Sequence, residues 1–432
     1  MAPKRNSALD LVIAGGGPAG IMAGLLFARA GCKVQVLEKH ADFFRDFRGD
    51  TVHPSTMEIL DELGMLSRFL ERPHNRIDRA EVSWNGRLME IGDLTHLKMP
   101  APFIAMMPQW DFLDFLRDEA ERNLPTFQLR MEAPVVGYVR ENGRIAGVRL
   151  ASGEVIRASL TIAADGRDSI VRQVLPSQNL GAPIDVFWVA VPKKTSGNAL
   201  RGAVRGYRLI VMIDRGDYWQ CAFVIAKGGA EKIEARGIEA FRDDLRAVAP
   251  DLPSLEDALP DFDHVRLLSV SLDRLTCWHE PGLLAIGDAA HAMSPVGGIG
   301  INLAIQDAVC AANVLAGPLS RHEDVDPLLH KVQDRRLLPT RIIQAAQRFV
   351  HERVLRPLIE GRRQVSEKPP LLMRLLDRFP LLRRVPGYFI GHGIRQEHIR
   401  SPDAGLRRAA VEPPRPSRPR GSSRSSRRTA RS

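Results

Sequence analysis

Residues 9–38 read LDLVIAGGGPAGIMAGLLFARAGCKVQVLE, and this stretch decides the fold of the amino-terminal half. A short apolar strand from Leu11 to Ala14 runs into Gly15-Gly16-Gly17-Pro18, a tight turn. The small residues from Ala19 to Ala30 predict a helix, and Lys33 to Glu38 predict a second strand that ends in an acid. Strand, glycine turn, helix and strand in this order predict an α/β fold that begins with a parallel pair of strands.

The glycines of this turn have the spacing of a dinucleotide-binding motif, GxGxxG. Gly15 makes the turn, Gly17 lets the backbone approach a pyrophosphate, and Gly20 lets the helix pack against the strand. Phosphates would meet the N–H groups at the start of the helix, where the dipole favours negative charge. Glu38 is placed to accept hydrogen bonds from a ribose. The pattern predicts an adenine dinucleotide site, and the alternative is a glycine-rich turn in an ordinary α/β protein.

Length and composition limit the class of protein. The chain has 432 residues, 44% of them hydrophobic and 26% charged, which excludes fibrous and wholly disordered proteins and suggests two or three domains. Its four cysteines are far apart and form no CxxC pair, so the sequence predicts no metal site and no dithiol redox centre. We expect a soluble protein of the reducing cytoplasm.

The net charge of +10 comes mainly from the carboxyl terminus. Residues 401–432 contain nine arginines against Asp403 and Glu412, so this tail carries +7 and the other 400 residues only +3. The tail is rich in Pro, Ser and Arg and has almost nothing to bury, which predicts disorder. We therefore expect no specific nucleic-acid partner, and a weak contact with a polyanion stays open.

An uncharged run from Leu11 to Ala28 is long enough to suggest a membrane span. The glycine turn with Pro18 would break such a helix, so we assign the run to the strand and helix described above.

The next 130 residues alternate helix and hairpin signals. His53 to Gly64 and Gln109 to Arg122 are amphipathic helices. Asn85-Gly86 predicts a hairpin turn, and Glu141-Asn142-Gly143 joins two further short strands. A buried strand from Leu160 to Ala164 then leads into Asp165-Gly166-Arg167-Asp168-Ser169.

Longer strands between Ile184 and Ala226 predict an inserted antiparallel sheet. We divide the chain into a discontinuous dinucleotide-binding domain (8–180 and 265–350), the main part of a substrate domain (181–264), a helical carboxyl region (351–400) and the tail (401–432). Four aromatic residues of the inserted sheet are candidates for a substrate pocket or for plain core: Trp188, Tyr218, Trp219 and Phe223.

A third glycine signal begins at a buried strand from Leu283 to Gly287. Asp288-Ala289-Ala290-His291 follows, then Pro295 and a glycine-rich loop up to Asn302, and then a helix to about Ala316. This segment again has a strand, an acid, a glycine loop and a helix, and it lies more than 260 residues after the first motif. A single ligand that touches both segments would need a second ring system beyond the adenine.

Together these three segments resemble the FAD-dependent aromatic hydroxylases of the p-hydroxybenzoate hydroxylase type, which include the ubiquinone-biosynthesis hydroxylases. The resemblance covers about residues 8–350 and is weakest between 184 and 280. Flavin disulfide reductases are a poor match because only one dinucleotide motif and no redox cysteine pair are present. Flavin halogenases are a poor match because the segment 187–192 (FWVAVP) lacks their WxWxIP signature.

The resemblance implies a Rossmann-like FAD-binding domain and a set of site residues. The ADP half of FAD would lie against Gly15, Gly17, Ala19, Gly20 and Glu38. The middle of FAD would contact Arg48 and Gln109, and Asp288, after Gly287, would hydrogen-bond to the ribityl chain or the pyrophosphate. Asp165-Gly166 resembles the family's DG motif, which is associated with both FAD and NAD(P)H. The flavin ring would border the catalytic loop residues Pro295 and Gly298 together with Gly300, Ile301 and Asn302. For Asp165 the alternative is helix capping. For His291 we favour loop positioning over a role as a base, because the sequence shows no partner for it.

The reaction implied by the resemblance is hydroxylation with NAD(P)H and O2 as co-substrates. Hydride reduces FAD, O2 adds to form a C4a-hydroperoxyflavin, and its distal oxygen passes to an aromatic or quinol-like small molecule. An FAD-dependent oxidase and an isoprenoid double-bond reductase remain alternatives. A non-catalytic RNA- or membrane-associated protein is a further alternative, suggested by the basic tail.

The segment from Leu371 to Ile390 alternates leucine clusters with arginines, as interfacial helices do. This leaves open a weak peripheral contact with a membrane. We favour a helix packed over the substrate domain and expect Pro380 and Pro386 to break it into short pieces.

Overall fold

The computed structural model describes residues 9–44, 51–193, 200–252, 254–359 and 368–405. Within these ranges the helices, in chain order, are α1 (Pro18–Arg29), α2 (Pro54–Glu62), α3 (Leu66–Leu70), α4 (Gln109–Asn123), α5 (Ala230–Glu234), α6 (Ile238–Val248), α7 (Gly300–Ser320), α8 (Leu329–Val350), α9 (Arg356–Ile359), α10 (Leu371–Arg378) and α11 (Pro380–His392). A π-helical turn, His351–Leu355, joins α8 to α9.

The strands of the same ranges, in chain order, are β1 (Leu9–Ala14), β2 (Val34–Leu37), β3 (Thr51–Val52), β4 (Asn75–Ile77), β5 (Arg79–Trp84), β6 (Arg87–Asp93), β7 (Ile104–Met106), β8 (Phe127–Arg130), β9 (Val135–Glu141), β10 (Arg144–Leu150), β11 (Val155–Ala163), β12 (Ser177–Asn179), β13 (Ile184–Pro192), β14 (Leu200–Arg205), β15 (Arg208–Asp214), β16 (Tyr218–Ala226), β17 (Arg266–Ser269), β18 (Asp273–Leu275), β19 (His279–Glu280), β20 (Leu283–Ala285) and β21 (His291–Ala292).

The first sheet has a parallel core in the order β20-β11-β1-β2-β8, and β19 extends it on one side. Strand β1 lies between β11 and β2, and its residues Leu11, Val12 and Ile13 are fully buried. Burial on both faces explains why this strand is a continuous apolar run. Helices α1 and α7 contribute to the same core, so the amino-terminal unit predicted from the sequence is present.

Helix α7 is long and apolar enough to cross a membrane by composition, but 78% of its apolar window is buried inside the protein. We therefore describe it as the central core helix of the first domain.

The second sheet has the order β17-β13-β16-β15-β14-β5-β6. Its face that carries Phe187 and Phe223 is covered by α6, whose Phe241 meets those rings edge-on at centroid distances of 5.6 and 5.4 Å. Phe223 is therefore a core residue. The expected antiparallel sheet between Ile184 and Ala226 is confirmed, because β13 to β16 pair antiparallel. The β5–β6 hairpin comes from an earlier part of the chain, and β5 joins the sheet parallel to β14.

Two predicted turns have the backbone that their residues favour. Asn85 and Gly86 have φ of 49° and 86° between β5 and β6, and Asn142 and Gly143 have φ of 52° and 77° between β9 and β10. Positive φ at both central residues is the geometry of a type I′ hairpin turn, which Asn-Gly adopts readily.

Helices α10 and α11 pack on β6 of the second sheet, as favoured from the sequence. Pro380 begins α11, where its missing N–H costs nothing. The expected break at Pro386 is wrong, because Pro386 lies inside α11. The carbonyl that Pro386 leaves without its helical partner belongs to Leu382, which is 43% exposed and can be solvated.

After His392 the chain crosses the first domain without helical structure up to Gly405. Asn313 of α7 accepts the N–H groups of Arg400 and Ser401 at 2.7 and 2.8 Å, and Arg29 of α1 pairs with Asp403 at 3.2 Å. The expectation of disorder from residue 401 onward is therefore wrong for 401–405, which the helices hold in place. The rest of that prediction falls on 406–432, outside the described residues.

Candidate flavin site

Four parallel strands of the first sheet end at one edge, and each predicted motif follows one of them. Gly15 follows β1, Glu38 follows β2, Asp165 comes two residues after β11, and Gly287 comes two residues after β20. Ligands of open parallel sheets bind outside this carboxyl edge. Segments separated by more than 260 residues in the sequence therefore share one site in the fold.

The glycine turn after β1 requires its glycines. Gly15 has φ of +103°, and a Cβ there would lie 2.4 Å from the carbonyl oxygen of Ala164. A Cβ on Gly20 would lie 1.9 Å from the oxygen of Gly15. By contrast, a Cβ on Gly17 meets nothing within 4 Å, and no side chain caps α1 at this residue. The space beside Gly17 at the uncapped start of α1 is thus open, as an anion site there requires.

Glu38 supports the turn from the next strand. Its Oε2 accepts the N–H of Gly16 at 3.0 Å and its Oε1 accepts the N–H of His40 at 3.1 Å. The side chain is only 9% exposed. The carboxylate therefore positions the glycine turn, a role that the sequence did not indicate.

Asp165 lies directly against the glycine turn, because a Cβ on Gly15 would come within 2.6 Å of its Cα. Its Oδ2 accepts the N–H of Ile170 at 3.3 Å, which is the capping role weighed from the sequence. Its Oδ1 is buried and has no hydrogen-bond partner among the described residues. Burial raises the pKa of Asp165. One oxygen therefore holds the following turn, and the other is left for a ligand.

Gly287 brings the third segment to the start of α1. It has φ of +60°, and a Cβ there would lie 3.1 Å from Cβ of Ala19 and 3.2 Å from Cβ of Ala304. Asp288 pairs through Oδ2 with Nε of Arg167 at 3.2 Å, and both side chains are about one-third exposed. This ion pair joins the second motif to the third and was not predicted.

The loop from Pro295 to Asn302 is anchored on β3 and α2. The Thr51 hydroxyl donates to the oxygen of Gly298 at 2.7 Å. Asn302 Oδ1 accepts from the Thr56 hydroxyl at 2.7 Å and from the N–H of His53 at 2.8 Å. A Cβ on Gly298 would lie 2.6 Å from the Thr51 hydroxyl oxygen. A side chain at Gly298 would therefore collide with Thr51.

Comparison with known proteins identifies this arrangement. Residues 8–346 match the family of FAD binding domains. The chain belongs to this FAD-binding family. It is 30% identical over 390 residues to the 6-methylpretetramide 4-monooxygenase of Streptomyces rimosus, covering 89% of this chain and 92% of that protein. It is 25% identical over 342 residues to the para-nitrophenol 4-monooxygenase of a Pseudomonas species, covering 76% and 82%.

The fold of this FAD-binding protein is shared with pqsL of Pseudomonas aeruginosa, a probable FAD-dependent monooxygenase. The TM-score is 0.70 at 20% identity, over 84% of this chain and all of that one. The predictions of FAD as cofactor and of an FAD-dependent monooxygenase are confirmed by the family and by these relatives. NAD(P)H is the usual electron donor of this family.

His291 of the flavoprotein has the partner that the sequence did not show. Its Nε2 lies 2.6 Å from Asp307 Oδ2, and both side chains are buried. Asp307 also accepts the N–H of Gly287 at 3.1 Å and Nε of Arg336 at 2.9 Å. Burial acts to raise the pKa of Asp307, but His291 and Arg336 together hold it below its ordinary value.

His53 is a buried residue of the flavoprotein that sequence reasoning did not single out. Its Nδ1 lies 3.0 Å from the oxygen of Ile390 in α11, and its Nε2 is buried with no partner among the described residues. Burial lowers the pKa of His53 to about 4, so the ring is neutral at pH 7. The only signal in the sequence was its place before Pro54 at the start of a helix.

Gln109 and Arg48 are the two predicted contacts of the middle of FAD, and the structure describes only Gln109. Gln109 is the first residue of α4, three residues after Met106 of β7, and Met106 pairs with Thr51. It therefore follows a strand that borders the anchored loop. Arg48 falls in 45–50, outside the described residues.

Proposed function

We propose that this flavoprotein hydroxylates a phenol-type aromatic small molecule, with NAD(P)H and O2 as co-substrates. The observation that carries the proposal is the meeting of three distant motifs at one sheet edge, where Gly15 lies against Asp165 and Ala19 lies against Gly287. Relatives named for 6-methylpretetramide and para-nitrophenol support an aromatic substrate. We place the enzyme in the cytoplasm.

The residues of the edge fit FAD. The uncapped start of α1, the open space at Gly17, Gly166 and Gly300, and the unpartnered Oδ1 of Asp165 are features that an adenine dinucleotide would fill. When bound, FAD supplies electron transfer from NAD(P)H to O2 and the transfer of one oxygen atom to the substrate.

Each group of site residues then has a binding role. The N–H groups at the start of α1 hold the pyrophosphate, and Glu38 accepts from the ribose while it supports the glycine turn. Asp165 and Asp288 hold the middle of the cofactor, and Arg48 and Gln109 remain predicted contacts of the same part. The residues that border the ring and exclude water from it are Pro295, Gly298, Gly300, Ile301 and Asn302.

The substrate would lie between this loop and the second sheet. Val296 of the loop packs on the sheet face that carries Trp188, Ala222 and Val224, opposite the face covered by α6. We therefore propose that the substrate domain comprises 181–264 together with the β5–β6 hairpin, and that the rest of 8–180 and 265–350 forms the cofactor domain. Helix α11 lies beside α2, where the oxygen of Ile390 is 3.0 Å from Nδ1 of His53.

The test of this function measures NAD(P)H oxidation by the purified holoenzyme with a panel of phenols that includes para-nitrophenol. We expect one or more phenols to accelerate oxidation and to take up one 18O atom from 18O2, with hydrogen peroxide as the minor product. Stoichiometric peroxide with every phenol would establish an oxidase instead. Equal turnover without O2 would establish a reductase.

A matched pair of variants tests which face of the second sheet lies against the substrate. Trp188→Phe should raise KM for the active phenol several-fold, and Trp219→Phe should leave KM nearly unchanged, because Trp219 packs on the side of α6. Equal effects of the two substitutions on KM would contradict this assignment.

A second variant tests the cofactor contact. Asp288→Ala should lower FAD retention, since a charge-assisted hydrogen bond contributes about 1.5–3 kcal/mol. Asp243→Ala, at an exposed position of α6, is its control.

A further inference from the structure

The outer face of α10 and α11 exposes an unusual concentration of apolar side chains. Of the twenty large hydrophobic residues that are exposed among the described residues, nine lie between 371 and 389. We define the outer face by its members that are 51–70% exposed, which are Leu371, Leu372, Phe379, Leu381, Val385, Tyr388 and Phe389. Contiguous apolar patches of this kind mark interaction sites.

The direction in which the helices face is set by their inner contacts. Arg383 forms an ion pair with Glu90 of β6 and donates to the oxygen of Leu376 at 2.9 Å. Gly387 is so close to β6 that a Cβ would lie 1.8 Å from the oxygen of Asp93, and a Cβ on Gly391 would lie 2.2 Å from Leu97. Polar contacts and close backbone packing thus hold the inner side, and the leucines are turned outward.

Positive charge surrounds this apolar face. Arg374, Arg378 and Arg384 are exposed, and none has a carboxylate partner in the part of the chain that the structure describes. A cleft of about 460 Å³ is lined by Arg87, Arg374 and Arg378 together with Leu371, Leu375 and Phe379. Asp377, which also lines it, is paired with Arg87 at 3.0 Å. The cleft therefore combines excess positive charge with apolar walls.

We propose that the outer face docks the enzyme on a bilayer surface that contains anionic phospholipid. Leucine and phenylalanine side chains enter the boundary of the acyl chains, and the arginines extend their stems along them to reach lipid phosphates. A second copy of the chain is a poorer occupant, because a two-fold interface would bring the same arginines together. Residues 406–432 carry nine arginines and one acid, Glu412, and add a second electrostatic attraction.

The test is co-sedimentation of the full-chain holoenzyme with vesicles of phosphatidylcholine, with and without phosphatidylglycerol. We expect binding only to the vesicles with phosphatidylglycerol, and we expect it to weaken as salt is added. The triple variant L372S/L381S/F389S should bind at least tenfold more weakly. The control L267S/I342S/F349S removes exposed apolar residues elsewhere and should bind as the wild type does. Both variants should keep wild-type FAD content.

A chain that ends at Gly405 separates the contribution of the outer face to vesicle binding from that of the tail. It should bind more weakly than the full chain and should lose its remaining binding in the triple variant. The proposal is overturned if the triple variant binds like the wild type, if the tail alone accounts for binding, or if phosphatidylcholine binds equally well. A concentration-dependent dimer in sedimentation velocity that the triple variant abolishes would assign the face to a second copy instead.

Discussion

His291 Nε2 lies 2.6 Å from Asp307 Oδ2, and both side chains are almost completely buried. The same oxygen accepts the N–H of Gly287, and the other oxygen accepts from Arg336. One carboxylate of α7 therefore holds the Gly287-Asp288 turn, the histidine that follows it and an arginine of α8. Asp307 is a positioning residue for the cofactor edge.

Asp307→Asn should destabilise the protein by up to about 3–5 kcal/mol, because the buried Arg336 loses its charge partner at 2.9 Å and keeps only Glu397 at 3.5 Å. The amide group of the substituted side chain would also point an N–H at one of the three groups that contact the carboxylate in the wild type, which are the N–H of Gly287, Nε2 of His291 and Nε of Arg336. Urea denaturation of the holoenzyme measures the loss, and retained FAD should fall with it. Asp243→Asn, in an exposed pair with Arg246, should change the free energy of unfolding by less than about 1 kcal/mol. An unchanged midpoint in Asp307→Asn would remove the residue from this role.

The advantage of the wild type over Asp307→Asn should depend on pH. The folded state holds the pKa of Asp307 below its ordinary value, so its contribution is fully present above the unfolded pKa of about 3.9. It is lost as pH falls through the folded pKa. Denaturation at pH 7 and at pH 3 should therefore show a large difference between the two proteins at pH 7 and a smaller one at pH 3. A constant difference would contradict this assignment.

His53 should make the protein less stable as pH falls below neutrality. Its folded pKa of about 4 lies below the unfolded value of about 6.5, so the unfolded state takes up the proton first. Between pH 7.5 and 5.5 this costs about 1.4 kcal/mol, one pKa unit below 6.5. We expect His53→Gln to show a smaller loss than the wild type over that interval, by chemical denaturation. His330→Gln, at an exposed position of α8, should match the wild type, and equal losses in all three proteins would refute the prediction.

Residues 401–405 should contribute to stability although 406–432 should not. A chain that ends at Arg400 loses the Asp403–Arg29 pair and the hydrogen bonds of Ser401 and Ala404 to α7 and α1. We expect it to be less stable by about 1–3 kcal/mol than a chain that ends at Gly405. The longer chain should keep full flavin content and turnover. Identical melting of the two truncated chains would show that this segment adds nothing.

Gly298→Ala should disturb the loop that we propose borders the flavin ring. Gly298 has φ of +62°, and the new methyl group would lie 2.6 Å from the Thr51 hydroxyl oxygen. We expect lower flavin content and a larger share of NAD(P)H diverted to peroxide. Gly297→Ala has similar backbone strain but meets only the flexible end of Ile299 at 3.1 Å, so its effect should be smaller. The double variant Thr51→Ala with Gly298→Ala should recover part of the loss, and no recovery would assign the effect to backbone strain alone.

The sequence by itself determined the local elements and their chemistry. Apolar periodicity and residues that tolerate positive φ predict the first strand, turn and helix, the two Asn-Gly hairpins and the extent of α7. Both signals depend on residues that are neighbours in the sequence. The order of three glycine and acid motifs also carried the resemblance to a known flavoprotein family, and that resemblance predicted FAD. Those signals are local because each depends on a few adjacent residues.

Only the tertiary structure decided which distant groups meet. The partners of His291, Gly298 and Asp288 are Asp307, Thr51 and Arg167, and nothing in the spacing of these residues relates one to another. The parallel entry of β5 into the second sheet and the outward turn of the leucines in α10 and α11 depend on packing against strands from other parts of the chain. The physical reason is that the fold decides which faces pack together, and this sets the partner of each buried side chain. The sequence of one segment shows which of its faces is apolar, but it does not show which other segment will cover that face.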